Sequence, residues 1–265
     1  MSMMKQDKLY IGTNTKMYKG IAETVDFITA LQQLTRDIDR RSMELFVIPS
    51  YTTLPAAAKA LDSALIRLGA QNMGWEEQGQ FSGEISPLML KEVGVETVMI
   101  GHSERRHILL ETDEMENRKV LCALRNGLIP LLCVGETYEE KAAGNSDSVL
   151  TRQLEEGLRG VSPLQAGKLR IAYEPVWAIG VNGIPAGKEY AQEKHGVIRS
   201  VLSRLFGKDT AERIPLLYGG SVNPVNAPEL ILMENIDGLF IGRSAWQADN
   251  FDRIIRAVLP LWQKK

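Results

Sequence analysis

The sequence predicts an α/β protein closed into a single (β/α)8 barrel over residues 1–265, and three observations predict it. Eight short apolar runs alternate with eight helix-like segments. The runs are apolar throughout, as strands buried on both faces must be, and the alternation implies parallel strands joined by helical crossovers. No Pro/Ser-rich linker, low-complexity tract or internal repeat breaks the series. The length suits one barrel of this kind, although length alone would also fit two small domains.

The elements read in order as follows. Leu9–Thr13 is the first strand, with a helical pattern through Ile21, Val25, Ile28 and Leu31 after it. Leu45–Ile48 precedes a helix at Leu54–Leu61, and Ile66–Ala70 precedes one at Pro87–Val93. Thr97–Ile100 leads to Asn117–Leu124, and Ile129–Val134 to Val149–Leu158. Leu169–Tyr173 leads to Tyr190–Leu205, Ile214–Tyr218 to Ala227–Met233, and Gly238–Ile241 to Phe251–Leu259. An open doubly wound sheet is the alternative. It would want a Gly-rich dinucleotide turn after the first strand, and Gly12-Thr13-Asn14-Thr15-Lys16 is not one.

Composition narrows the function. The formal net charge is −2, so no basic excess is available to neutralise a nucleic-acid backbone. An anionic substrate then needs a local positive site. Cys122 and Cys133 form neither a CxxC pair nor a zinc spacing, and read as reduced thiols of a cytoplasmic protein. No metal or cofactor is expected. The start, Met1 to Lys8, lacks a signal-peptide apolar region, and no run is long enough to span a bilayer.

Polar and glycine residues gather just after the strands. Asn14 and Lys16 follow the first, Gln71 and Asn72 the third, and Gly101-His102-Ser103-Glu104-Arg105-Arg106 the fourth. Cys133 to Glu136 close the fifth, Glu174-Pro175-Val176-Trp177 follow the sixth, Gly219-Gly220-Ser221 the seventh and Gly242-Arg243-Ser244 the eighth. Barrels of this type place their active sites at that end. Glu174, desolvated at a strand end, suits a base that takes a proton from carbon, although alone it could be a capping or surface glutamate. His102 precedes a predicted helix whose N-terminus disfavours imidazolium, so it would act as a neutral donor and proton shuttle. Lys16 supplies positive charge for a phosphate and a developing enolate, and Asn14 a donor dipole. The turns Gly219-Gly220-Ser221 and Gly242-Arg243 suit an anion cradle, or plain turn chemistry. Pro175–Ala186, with Val176, Trp177 and Ile179 among its Gly and Pro, reads as an apolar lid that excludes water. His107 and His195 look helical and peripheral and receive no role.

Five segments carry a resemblance: Asn14-x-Lys16-Met17, Gly101–Arg106, Cys133–Thr137, Tyr173–Gly180 and Tyr218–Val222. In this order they resemble triosephosphate isomerases along nearly the whole chain. The resemblance implies a TIM barrel, enediol proton transfer on a small phosphorylated sugar, and the pairing of a carboxylate base with a neutral histidine already known for that family. It further implies that Glu104 fixes Lys16, that Gly180 meets phosphate when the lid closes, and that Tyr218 and Ser221 latch the lid to which Trp177 and Ala186 belong. It implies a homodimer formed through the Gln78–Ser86 loop, with Phe81-Ser82-Gly83 inserted beside the partner's Asn14 and the partner's Lys16.

The chain departs from the family at its substrate wall, lid and cradle. Thr15 stands where a Trp is usual, and Tyr18-Lys19-Gly20 replaces an Asn-Gly. The lid reads Val181-Asn182-Gly183-Ile184-Pro185-Ala186, one residue longer. Gly242-Arg243-Ser244-Ala245 replaces Gly-Gly-Ala-Ser, and Phe240 replaces a Leu. These changes resemble an offshoot that interconverts L-erythrulose 1-phosphate and D-erythrulose 4-phosphate. The alternatives are a triosephosphate isomerase, a phosphate-binding barrel that uses Lys16 as a Schiff-base nucleophile, and a barrel without isomerase activity.

Overall fold

Eight parallel strands pair in chain order in the computed structural model, and the last returns to the first to close a cylinder. They are β1 (Leu9–Asn14), β2 (Met43–Ile48), β3 (Arg67–Ala70), β4 (Thr97–Ile100), β5 (Ile129–Val134), β6 (Arg170–Tyr173), β7 (Leu216–Tyr218) and β8 (Gly238–Ile241). The structure describes residues 6–180 and 183–265. The reading of Val181 and Asn182 as an altered lid tip lies outside them, as does most of the polar N-terminal stretch.

The predicted elements all form, with local shifts at their ends. β7 starts at Leu216, because the Ile214 N–H is used in a turn to Ala211 and Pro215 has no N–H to donate. The helix expected from Asn117 starts at Asp113, where the Thr112 hydroxyl accepts from the Met115 N–H and an acidic first turn faces the helix dipole. The last helix, Ala248–Trp262, buries Phe251, Ile254, Ile255, Val258, Leu259 and Trp262, one stripe at helical spacing.

The core has two shells. Leu, Ile and Val fill the space between the strands and the surrounding helices. A smaller cluster, including Phe46, Ile48, Met99, Leu131 and Phe240, fills the cylinder itself. Gly12 and Gly69 flank Phe46 and Ile48. A Cβ on Gly12 would overlap the Phe46 ring, and one on Gly69 would sit 2.7 Å from Ile48 Cγ1. Below this layer the strand starts form a polar floor. Arg170 pairs with Glu44 at 2.5 Å, donates to the Thr97 hydroxyl and lies over the Tyr10 ring, while Arg67 pairs with Glu44 and Glu96. The cylinder is therefore plugged at the strand starts and open to chemistry only at the strand ends.

Candidate active site

At the end of β6 the Glu174 carboxylate is 2% exposed. Two glycines allow it to sit so deep. A Cβ on Gly219 would lie 2.9 Å from Glu174 Cγ, and one on Gly135 would overlap the Glu174 carbonyl. Glu174 Oε2 accepts from the Ser103 backbone N–H at 3.3 Å, and Oε1 lies 3.7 Å from His102 Nε2. The Cys133 thiol lies beside this carboxylate. Burial first, then the charge of Glu174, pushes that thiol well above its ordinary range.

His102 is the N-cap of the short helix Ser103–His107, and its Nδ1 accepts from the Glu104 N–H at 3.2 Å. A nitrogen that accepts carries no proton. The bond thus fixes a neutral tautomer whose Nε2–H faces Glu174.

Lys16 stands across the mouth in the left-handed region, with φ 51°. Few residues with a Cβ adopt that conformation, which costs roughly 1–2 kcal/mol. Three hydrogen bonds of 2.8 Å hold it there. The Lys16 N–H donates to Asn14 Oδ1, and the Lys16 carbonyl accepts from Ser50 Oγ and Gln71 Nε2. Gln71 also donates to Asn14 Oδ1 at 3.1 Å. The Lys16 ammonium pairs with Glu104 at 2.6 Å. Asn14 Nδ2 makes only a long contact of 3.7 Å to Met99 Sδ and so remains a donor available at the mouth.

Residues after β5 and β6 form a separate group. Trp177 Nε1 donates to Glu136 Oε1 at 2.9 Å, and the Tyr190 and Tyr173 hydroxyls donate to the same carboxylate. The Lys141 ammonium lies 3.5 Å from the centre of the Trp177 ring. Tyr218 and Ser221, expected as a latch, lie at the end of β7 and in the turn after it. Among the described residues the buried Tyr218 hydroxyl has no hydrogen-bond partner, and the Ser221 carbonyl accepts from Asn226 Nδ2. Gly180 is exposed at φ 92°. Gly220 packs under the Tyr218 hydroxyl, and Gly242 faces open space with the exposed Arg243 beside it. The structure thus joins Glu174 to His102, Lys16 to Glu104 and to Asn14, and leaves Gly180 and Arg243 without contacts to that group.

Some residues of the site received no role from sequence. Glu136 lies inside the run Cys133–Thr137, yet its role depends on an indole and two phenols far along the chain; their clustering after β5 and β6 is the signal. Gln71 and Ser50 act through a backbone carbonyl, which residue types cannot reveal. His195, expected at the periphery, is fully buried edge-on against Tyr173, because it lies on the inner face of the helix Lys188–Phe206.

Over residues 9–258 the chain matches the family described as Triosephosphate isomerase. It is 47% identical over 252 residues to the L-erythrulose-1-phosphate isomerase of Rhizobium etli, covering 94% of this chain and 92% of that protein. It is 45% identical over 246 residues to the protein of the same name from Brucella abortus strain 2308, covering 92% and 94%. It is 43% identical over 247 residues to the triosephosphate isomerase of Dictyoglomus thermophilum, covering 93% and 98%.

Proposed function

Because the chain belongs to the triosephosphate isomerase family, we propose that it is a tetrulose-phosphate isomerase, interconverting L-erythrulose 1-phosphate and D-erythrulose 4-phosphate. That it is an isomerase acting on a small phosphosugar follows from the family itself. The observation that carries the chemistry is the buried pair of Glu174 and His102, 3.7 Å apart, with Lys16 at the same mouth.

Glu174 takes the proton from the carbinol carbon next to the ketone, and the C–H electron pair becomes the carbon–carbon double bond of an enediolate. Lys16 and Asn14 stabilise the oxyanion. The Nε2–H of His102 gives its proton to one oxygen and recovers one from the other. Glu174 then returns its proton to the former carbonyl carbon, leaving the carbonyl one position along. The phosphate is held by Gly220, Ser221, Gly242 and Arg243, with Gly180 joining when the lid closes and Trp177, Tyr218 and Ala186 framing it. The tetrulose substrate differs from the triose by one hydroxymethyl group on the far carbon, so the proton-transfer residues serve either. Relatives named L-erythrulose-1-phosphate isomerase and the altered lid and cradle support the larger substrate. The relative from Dictyoglomus supports the second reading, D-glyceraldehyde 3-phosphate and dihydroxyacetone phosphate.

The test is kcat/KM on both sugar phosphates. A preference of about tenfold or more for the tetrulose phosphate is expected, and a preference for the triose rejects it. Glu174→Gln is expected to lose activity roughly a thousandfold while keeping its circular dichroism, the scale of a lost general base. Retained turnover in that variant rejects the role of Glu174.

The same reading includes a homodimer through the Gln78–Ser86 loop. Phe81 is partly exposed against Trp75, and Met17, Tyr18, Ile108, Leu109 and Leu110 are bare apolar side chains on the loops after β1 and β4.

A further inference from the structure

We propose that Trp246 is a positioning residue for the reaction, holding the β1 turn that presents Asn14 and Lys16. The inference rests on the catalytic reading of Lys16 given above. β1 pairs with β2 through Asn14 but with β8 only through Thr13, which lies opposite Ile241. β8 stops there because the chain folds into a tight turn, in which the Ala245 N–H donates to the Gly242 carbonyl at 2.9 Å. No further β8 backbone group extends this ladder to Asn14. The indole of Trp246 supplies the missing rung, donating from Nε1 to the Asn14 carbonyl at 2.8 Å.

The ring makes a second contact with the same loop. Its centre lies 4.5 Å from that of Tyr18, tilted by 39°. Trp246 thus grips the segment on both sides of Lys16, once at the carbonyl two residues before and once at the side chain two residues after. Between these points sits a backbone position that carries a conformational penalty, Lys16 at φ 51°. Ser50 and Gln71 hold that turn from the β2 and β3 side, and Trp246 is its holder from the β8 side. The Trp246 backbone N–H in turn donates to the Arg243 carbonyl at 3.2 Å. One residue therefore links the turn proposed to hold phosphate with the turn that carries the charge for the enediolate. A slip of the ammonium by a fraction of an ångström weakens an interaction made mainly in the transition state, so the loss falls on kcat.

The cleanest probe replaces Trp246 by β-(3-benzothienyl)alanine, which keeps the shape of the ring and removes only the N–H. Trp246→Phe is the second variant, should the first fail to fold. Two readouts are taken. Amide hydrogen exchange over residues 13–19 is expected to rise roughly tenfold, the scale of one buried acceptor left unpaired, while exchange in β4 stays unchanged. Turnover of L-erythrulose 1-phosphate, counted per folded molecule, is expected to lose roughly tenfold in kcat with KM nearly unchanged, and the unchanged exchange in β4 separates this from a general loss of stability. Unchanged exchange over residues 13–19 overturns the proposal, and so does faster exchange with unaltered kcat. If the unmodified protein turns over neither the tetrulose nor the triose phosphate, the functional reading falls, and the exchange measurement alone decides the clamp.

Discussion

At Glu116 burial leaves both carboxylate oxygens without a hydrogen-bond partner, and the Arg106 guanidinium is 3.6 Å away. Burial pushes this carboxyl up to about 7 from its ordinary 4.5, with Arg106 pulling it partly back. His195 is the mirror case. Burial pushes its imidazole down to about 3 from 6.5. The two bend stability with pH in opposite senses. Above pH 4.5 the unfolded chain has released a proton that native Glu116 keeps until about 7, so its share of stability is complete below 4.5 and falls as pH rises through that window. Below pH 6.5 the unfolded chain binds a proton that native His195 refuses, so its share is complete above 6.5 and falls as pH drops toward about 3. Glu116→Gln is expected to remove the first slope, gaining at most about 3 kcal/mol relative to the native protein between the two ends of its window. His195→Phe is expected to remove the second. Urea unfolding over a pH series checks both, and variant curves that run parallel to the native one reject the account.

At the scale of the element, the segment after β6, proposed above as a lid, is anchored near its start by one carboxylate. Glu136 is an acceptor-only group surrounded by three donors, from Tyr173, Trp177 and Tyr190. Glu136→Gln turns an amide N–H toward at least one of them and loses a charge-assisted bond. We expect kcat to fall about tenfold, with Trp177 fluorescence shifted toward that of a solvated indole. An unaltered emission spectrum would show that the setting of Trp177 does not depend on the carboxylate. The sequence makes the strands legible because each holds a mainly apolar run, so that position in the chain and composition agree. It also makes the pairing of Lys16 with Glu104 legible, through the resemblance of the motifs that contain them. Glu136 was not legible. Its partners lie 37, 41 and 54 residues away, and neither period 2 nor period 3.6 marks such a contact. The start of β7 was misplaced for a different reason: Ile214 is apolar like its neighbours, but its N–H is used in a turn and Pro215 has none to give the ladder.

For the whole molecule, the proposed assembly predicts a hydrodynamic mass of twice the 29.5 kDa chain. Phe81→Asp is expected to shift it to the monomer and to lower kcat/KM by an order of magnitude or more, read by sedimentation velocity and assay together. A native protein that sediments as a monomer rejects the dimer. The barrel's own closure has a consequence for its synthesis. β1 and β8 share one seam, with Tyr10 opposite Gly238, so the first strand made waits beside an unfilled edge until nearly the whole chain has left the ribosome. Such a distant pairing is slow to form, and an open strand edge invites foreign chains during the delay. Trp246 bonds to Asn14 across 232 residues, at the same seam. Truncation upstream of β8 therefore removes the last stave of a cask whose first stave depends on it, and the nascent protein cannot reach its native form piece by piece.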